Sequence, residues 1–358
     1  MTRRLPMSFR HIAVCGALIA LVACGNGSSS TGPHDDGNPY GLTTTGPGVL
    51  SVTPLDTSTI FAITPLGQVS PPGHTLPTDH IYLSFVDPWN GQQQLNDCSP
   101  RPVRAAGSGV ITFTYVTEPS GGDTKVDIQM TKTFHYYYDH VLLKPGMIPG
   151  KFINAGDTIA TTTGRCPSID LGAWDTDVTP PNFANPARYV GQSLHVVPPL
   201  KYFVEPLRSA LYRRVRLFWG VPVDLDGRTD WGVKGRLAGD WFHSSLATAD
   251  GNTSSGPTGW TKQLSFSHEY FARQPILSIG GTVSPALVTP VPASVGDPAT
   301  IGVANGLVAF QTQAYNGNLQ AGWILLQMTA DDHLRVEFFA GATARPAGFT
   351  SAAQDYVR

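Results

Sequence analysis

The run Gly73-His74-Thr75-Leu76-Pro77-Thr78-Asp79-His80-Ile81-Tyr82 gathers two imidazoles, a carboxylate and a phenol in one short stretch. Imidazoles and carboxylates are the groups that ligate a divalent metal or move a proton near neutral pH. His74, Asp79 and Tyr82 are candidates to line a ligand site. Further along stand His135, His140, Asp170 and Asp175. In a strand, residues two apart share a face, so His135 and His140, five apart, face opposite sides unless a bulge intervenes. Ser267-His268-Glu269 and Trp241-Phe242-His243 hold titratable residues without the spacing of a nucleophile and its base. No Gly-rich phosphate loop, nucleotide fingerprint or serine elbow occurs.

The elements that must carry these groups read as strands. Short apolar or alternating runs, cut by Gly, Pro, Asn and Asp, recur at 109–116, 125–130, 324–328 and 334–339. Asp331-Asp332-His333 reads as a hairpin turn between the last two. Helical periodicity is confined to 205–215, where Leu207, Leu211 and Val215 recur at helical spacing. The fold class is all-β, antiparallel, and 283–298, rich in Pro, Ser and Val, reads as a long surface loop.

The first residues set an address. Arg3, Arg4 and Arg10 precede an apolar run from Ile12 to Ala23, too short to span a bilayer and read as a secretory signal. Leu21-Val22-Ala23-Cys24 resembles the lipobox of bacterial lipoproteins, which implies lipidation at Cys24 and membrane attachment in the cell envelope. Gly25 after the cysteine favours, by the same resemblance, the outer membrane where the host has one. Without the three signal arginines the basic count falls to 21 against 26 acids, a charge near −5, and no basic run suggests nucleic acid. Residues 24–48, rich in Ser, Thr, Gly and Pro, read as a flexible tether after the 1–23 signal. Cys15 leaves with the signal, so in an oxidising compartment Cys98 and Cys166 are expected to pair.

Residues 66–175 resemble the lysostaphin-type (LytM-like) zinc endopeptidases of cell walls, built on an antiparallel sheet. The resemblance is carried by the hairpin Pro102-Val103-Arg104-Ala105-Ala106-Gly107-Ser108-Gly109-Val110 and by the turn Ile153-Asn154-Ala155-Gly156-Asp157-Thr158-Ile159. It implies a first metal motif at His80, with Ser84 where the carboxylate ligand belongs. It places His140, in Tyr138-Asp139-His140, at the histidine that assists water activation. On the final strand Asp170 and Gly172 stand where the family has two histidines. A catalytic zinc needs three protein ligands and an open position, and only His80 of the three is kept. The resemblance with these departures implies a peptidase-like scaffold that binds a cell-wall or other envelope ligand without catalysis, with no cofactor expected. The alternative is a zinc-dependent peptidoglycan endopeptidase with a rearranged site of His80, Asp170 and His140.

The expected organisation is a peptidase-like β domain over 49–200, a connector with a short helix over 201–229, and a barrel-like β domain over 230–358. In the last, Gly239-Asp240-Trp241 resembles the glycine-x-tryptophan that opens lipocalin-like barrels, where the Trp meets a late arginine, here Arg335 or Arg358. That resemblance implies a third reading, a carrier of a small apolar ligand in the barrel.

Overall fold

The computed structural model describes residues 38–85, 99–118, 122–163, 168–189, 191–217, 220–246, 259–268, 274–315 and 318–358. Cys24, Cys98 and Cys166 lie outside them, and with them the lipidation and disulfide expectations. The described residues are nearly all antiparallel β, in two sheets, with two short helices, α1 (Gly191–Leu194) and α2 (Leu207–Tyr212). No helix among the described residues is long and apolar enough to cross a membrane.

The first sheet has nine strands: β1 (Ala62–Thr64), β2 (His80–Ser84), β3 (Pro102–Arg104), β4 (Gly109–Glu118), β5 (Asp123–Gln129), β6 (Phe134–Leu143), β7 (Phe152–Ile153), β8 (Thr158–Thr162) and β9 (Ser168–Asp175). Its main path runs β1-β2-β9-β6-β5-β4-β7. Strict alternation explains both faces. Ile81, Leu83, Leu171, Ala173, Tyr136, Tyr138, Val126 and Ile128 enter one core, while His80, Asp170, His135 and Tyr137 stand on the other face. Tyr136 and Tyr138 reach through the core to donate their hydroxyls to Gly107 O at 2.8 Å and Arg104 O at 3.0 Å. This fastens the 102–110 hairpin beneath the site.

Within 201–229, Leu211 and Val215 are buried in this core, and Ile63 and Leu66 bridge to Val215 and Gly227. Before the first strand, residues 38–48 lie along the sheet, where Lys132 N donates to Thr44 O at 2.7 Å and Thr131 Oγ1 to Gly46 O at 2.7 Å.

The second sheet has eight strands: β10 (Gly239–His243), β11 (Gln263–His268), β12 (Pro275–Ile279), β13 (Leu287–Pro290), β14 (Val308–Gln311), β15 (Gly322–Ala330), β16 (His333–Ala340) and β17 (Gln354–Val357). They run β13-β12-β11-β10-β17-β16-β15-β14 in a curled half-barrel. The 283–298 stretch is not all loop, because 287–290 pairs with β12; Pro290 costs only one ladder donor on this edge strand. The two edges approach through side chains: Gln313 N donates to Thr289 Oγ1 at 2.8 Å and Gln320 Nε2 to Ala286 O at 3.0 Å. Asp331 and Asp332 form the turn between β15 and β16, as the sequence pattern indicates. Inside, Trp241 is fully buried among Leu264, Phe266, Leu326, Val336 and Tyr356. The Arg358 guanidinium lies 3.8 Å from the Trp241 ring centroid, whereas Arg335 lies over Phe349.

Candidate functional site

The site sits where β2, β9, β6 and β5 lie side by side. Pairing of His80 with Gly172, Tyr82 with Asp170, and Asp139 with Asp170 puts the side chains of three strands over one patch of sheet. The one irregularity is decisive for His140. Between Tyr138, opposite Val126, and Val141, opposite Thr124, two residues of β6 face the single Lys125 of β5. This bulge re-aims the chain. His140 takes φ +63, the sole non-glycine with positive φ among the described residues, and turns onto the same face as His135 and Asp139 while Val141 returns to the core.

His80, Asp170 and His140 are thereby brought together. His80 Nε2 is 3.2 Å and His140 Nε2 3.6 Å from Asp170 Oδ2. Each imidazole is held from behind by a second carboxylate: His80 Nδ1 is 3.0 Å from Asp79 Oδ1, and His140 Nδ1 is 2.8 Å from Asp123 Oδ2. The result is a chain of alternating acids and bases, Asp79, His80, Asp170, His140, Asp123. His80 and Asp170 are buried, and His140 opens to solvent with 42% of its side chain exposed. His74 and Tyr82 stand edge-on to His80, ring centroids 5.2 and 5.1 Å away. Asp79 also accepts from Tyr137 Oη at 2.8 Å and Gln192 Nε2 at 2.7 Å, so it orients His80 and does not face the groove as a ligand.

The electrostatics follow from burial and neighbours. Burial works against the charged form of His80, but the Asp170 and Asp79 carboxylates outweigh it and raise its pKa. His140 is raised in the same way, with Asp170 and Asp123 overcoming its desolvation. Asp79, although buried, is held well below the usual carboxylate value by His80 and Lys125. Burial raises Asp170, and the two histidines offset it only in part. Burial, with the neighbouring His80 charge, depresses His74 to about 3.

Zinc in the arrangement that the family resemblance implies does not fit these residues. Ser84 offers no carboxylate, and the place of a side chain at 172 is taken: a Cβ added to Gly172 would fall against Cε1, Cζ and Oη of the Tyr137 ring. Among the described residues, Asp123, Asp139 and His140 have ligand atoms mutually within 4.8 Å. His135 belongs elsewhere, stacked on Trp174 at 3.8 Å and bound to Asp127 Oδ1 at 2.7 Å.

Sequence reasoning missed Asp123, Tyr137 and Gln192. The Tyr136-Tyr137-Tyr138 triplet in an alternating strand does signal one ring on the outer face, but nothing local marks Asp123 or Gln192. In the second sheet a cavity of about 190 Å³ opens between Arg228, Trp231, Phe266, Ser267, His268 and Asp297. Trp241, beside which a carrier cavity was expected, does not line it.

No family profile matches the chain, and no curated protein matches it. Solved structures do. Csd3 of Helicobacter pylori is 16% identical with TM-score 0.29 over 44% of this chain and 34% of its own. The catalytic domain of lysostaphin from Staphylococcus simulans is 19% identical with TM-score 0.21, over 28% of this chain and 68% of its own. A zinc-containing peptidase from Vibrio cholerae is 15% identical with TM-score 0.24, over 36% of this chain and 37% of its own. The chain thus spans about a third of the length of the first of these.

Proposed function

We propose that this is a lipid-anchored envelope protein whose first sheet is a non-catalytic, peptidase-like scaffold that binds an envelope ligand, a cell-wall peptide foremost, in the groove at His74, Tyr82 and His140. The observation that carries the reading is the Tyr137 ring over Gly172. A residue position that would hold a metal ligand in a lysostaphin-type enzyme is filled by a hydroxyl-bearing ring, whose Oη is committed to Asp79 at 2.8 Å. What remains partly accessible on that face is a set of aromatic and imidazole edges beside a buried acid, suited to polar recognition of a peptide. Cys24, by its lipobox, tethers this surface near a membrane.

The test uses purified sacculi and the full chain in detergent. Retention on sacculi that falls at least several-fold in Tyr82→Ala and His140→Ala, without release of muropeptides, supports the reading. Muropeptide release by the wild type that His80→Ala abolishes would overturn it.

A further inference from the structure

The run Lys144-Pro145-Gly146-Met147-Ile148-Pro149-Gly150-Lys151 repeats one turn pattern, x-Pro-Gly-x, twice without a gap. Proline presets φ at the second position of a type II turn, and glycine supplies the positive φ that the third position requires. Both turns form: Met147 N donates to Lys144 O at 3.2 Å and Lys151 N to Ile148 O at 3.1 Å, with Gly146 at φ +83 and Gly150 at φ +86. The double turn is tied down at both ends. Lys144 N donates to Ile159 O of β8 at 2.9 Å, Gly150 N to Ile111 O of β4 at 2.8 Å, and Ile111 N to Lys151 O at 2.9 Å.

What this loop holds outward is apolar between two cations. Ile148 is 62% exposed, and Phe152, beside Lys151, is 56% exposed while Ile153 turns into the core. Lys144 and Lys151 are both exposed, and the chain has no acid between Asp139 and Asp157. Tyr40, 42% exposed, extends the patch: its ring lies against Gly150, with Cε1 3.6 Å from where a Cβ on that residue would stand. Apolar side chains gathered at one exposed place and flanked by lysines mark a contact surface.

The second observation is where the chain comes from. Residues 38–48 lie along the sheet, and Gln129 Nε2 donates to Asn38 Oδ1 at 2.8 Å, so the arm from the anchor ends at Asn38, two residues before Tyr40. Asn38 stands fourteen positions after Cys24, and a chain of that length spans at most about 50 Å. The lipid and the patch are thus joined by a short path.

We infer that Tyr40, Ile148 and Phe152, with Lys144 and Lys151, form a membrane-docking face that rests on the anionic surface of the bilayer holding the anchor. The inference rests on the lipid-anchor part of the proposed function. Isoleucine and the aromatic rings enter the headgroup boundary, and the ammonium groups meet lipid phosphates at the base of the loop. Docking converts a tethered domain into an oriented one, with the 102–110 hairpin and the sheet held at a fixed angle to the membrane.

The test reconstitutes the full chain, purified from bacterial membranes in detergent, into vesicles of phosphatidylcholine with about 30% phosphatidylglycerol. Ile148→Cys and Phe152→Cys are labelled with an environment-sensitive nitrobenzoxadiazole dye. Val223→Cys, at a fully exposed position elsewhere, is the control, and the wild type labelled in parallel gives the background. Circular dichroism of each variant shows that it is folded. A blue shift with an intensity gain of about two-fold or more is expected at 148 and 152 and none at 223. Lys144→Gln and Lys151→Gln, added to Ile148→Cys, should each weaken docking about 5-fold on these vesicles. Flotation of the wild type, lost in Cys24→Ala, reads the anchor separately. Labels at 148 and 152 that behave like the label at 223 in floated vesicles overturn the inference and leave the anchor standing; a wild type that does not float removes both. The same signal rising with protein concentration in detergent alone, or appearing on sacculi without lipid, gives the surface to a second copy or to the cell wall and overturns the inference as well.

Discussion

The Tyr137 ring covers the α-carbon of Gly172, its register partner across β6 and β9, so closely that no Cβ fits between them. Glycine is needed here for room and not for backbone freedom. Gly172→Ala is expected to destabilise the chain by about 1–3 kcal/mol, the usual cost of overpacking. In a Tyr137→Ala background the same change should cost far less, because the obstructing atoms are gone. Urea unfolding of the two single variants and the double variant gives the coupling energy directly. Additive effects would show that the ring does not occupy that space.

His140 is held at φ +63, where an L-residue is strained and glycine is not. Replacement by Ala and by Gly removes the same imidazole, so the difference between the two variants isolates the backbone. His140→Gly should be more stable than His140→Ala by about 1–2 kcal/mol, the left-handed penalty of a Cβ. At an ordinary strand position the order would be reversed, and equal or reversed stabilities would remove the bulge from the account.

The strands were legible because alternation leaves a trace in the sequence: 109–116, 324–328 and 334–339 fall in β4, β15 and β16, and 125–130 overruns the end of β5 by one residue. His80 and Asp170 on one face followed from the same period. What alternation hides is any break in it. The bulge that turns His140 outward exists only relative to Lys125 on the neighbouring strand, so no window of sequence containing His140 alone contains the signal. The orienting groups are hidden for a second reason, distance along the chain. Gln192 reaches Asp79 across 113 positions. The 283–298 stretch shows the converse, since its prolines read as loop while β12 offers a partner ladder that only the fold brings near.

Opposite pH limbs are expected for neighbouring histidines. The pKa of His80 is raised on folding, so its contribution is complete below the unfolded imidazole value of about 6.5 and is lost as pH rises through the folded value. His74, depressed to about 3, refuses a proton that the unfolded chain accepts, so stability is lost as pH falls from about 6.5 toward 3. Asp79, lowered on folding, adds to that acid loss, because its stabilisation is present above the unfolded carboxylate value and disappears as it is protonated. In chelator-containing buffer, His80→Gln should flatten the thermal-midpoint curve above pH 6.5, and His74→Gln should shrink the fall below it. A curve unchanged above pH 6.5 in His80→Gln would mean that Asp79 and Asp170 do not hold its proton.

The second sheet depends on one cation in the same way that the first depends on its histidines. Arg358 lies 3.8 Å from the Trp241 ring centroid, and its Nη atoms donate to the carbonyls of Val233, Leu237 and Ala238. Trp241 Nε1 donates to the same Leu237 O at 2.9 Å. One planar fork therefore closes the loop before β10, covers the ring, and ties both to the end of β17. Arg358→Ala removes a cation–π contact worth about 0.5–2 kcal/mol and leaves carbonyls partly unsatisfied at about 1–3 kcal/mol, so a loss of about 2–4 kcal/mol is expected in urea unfolding. Arg358→Lys should recover little of it, because a single ammonium cannot reach three carbonyls while lying over the indole. Full recovery with lysine would show that charge alone, and not the fork, holds this end of the sheet.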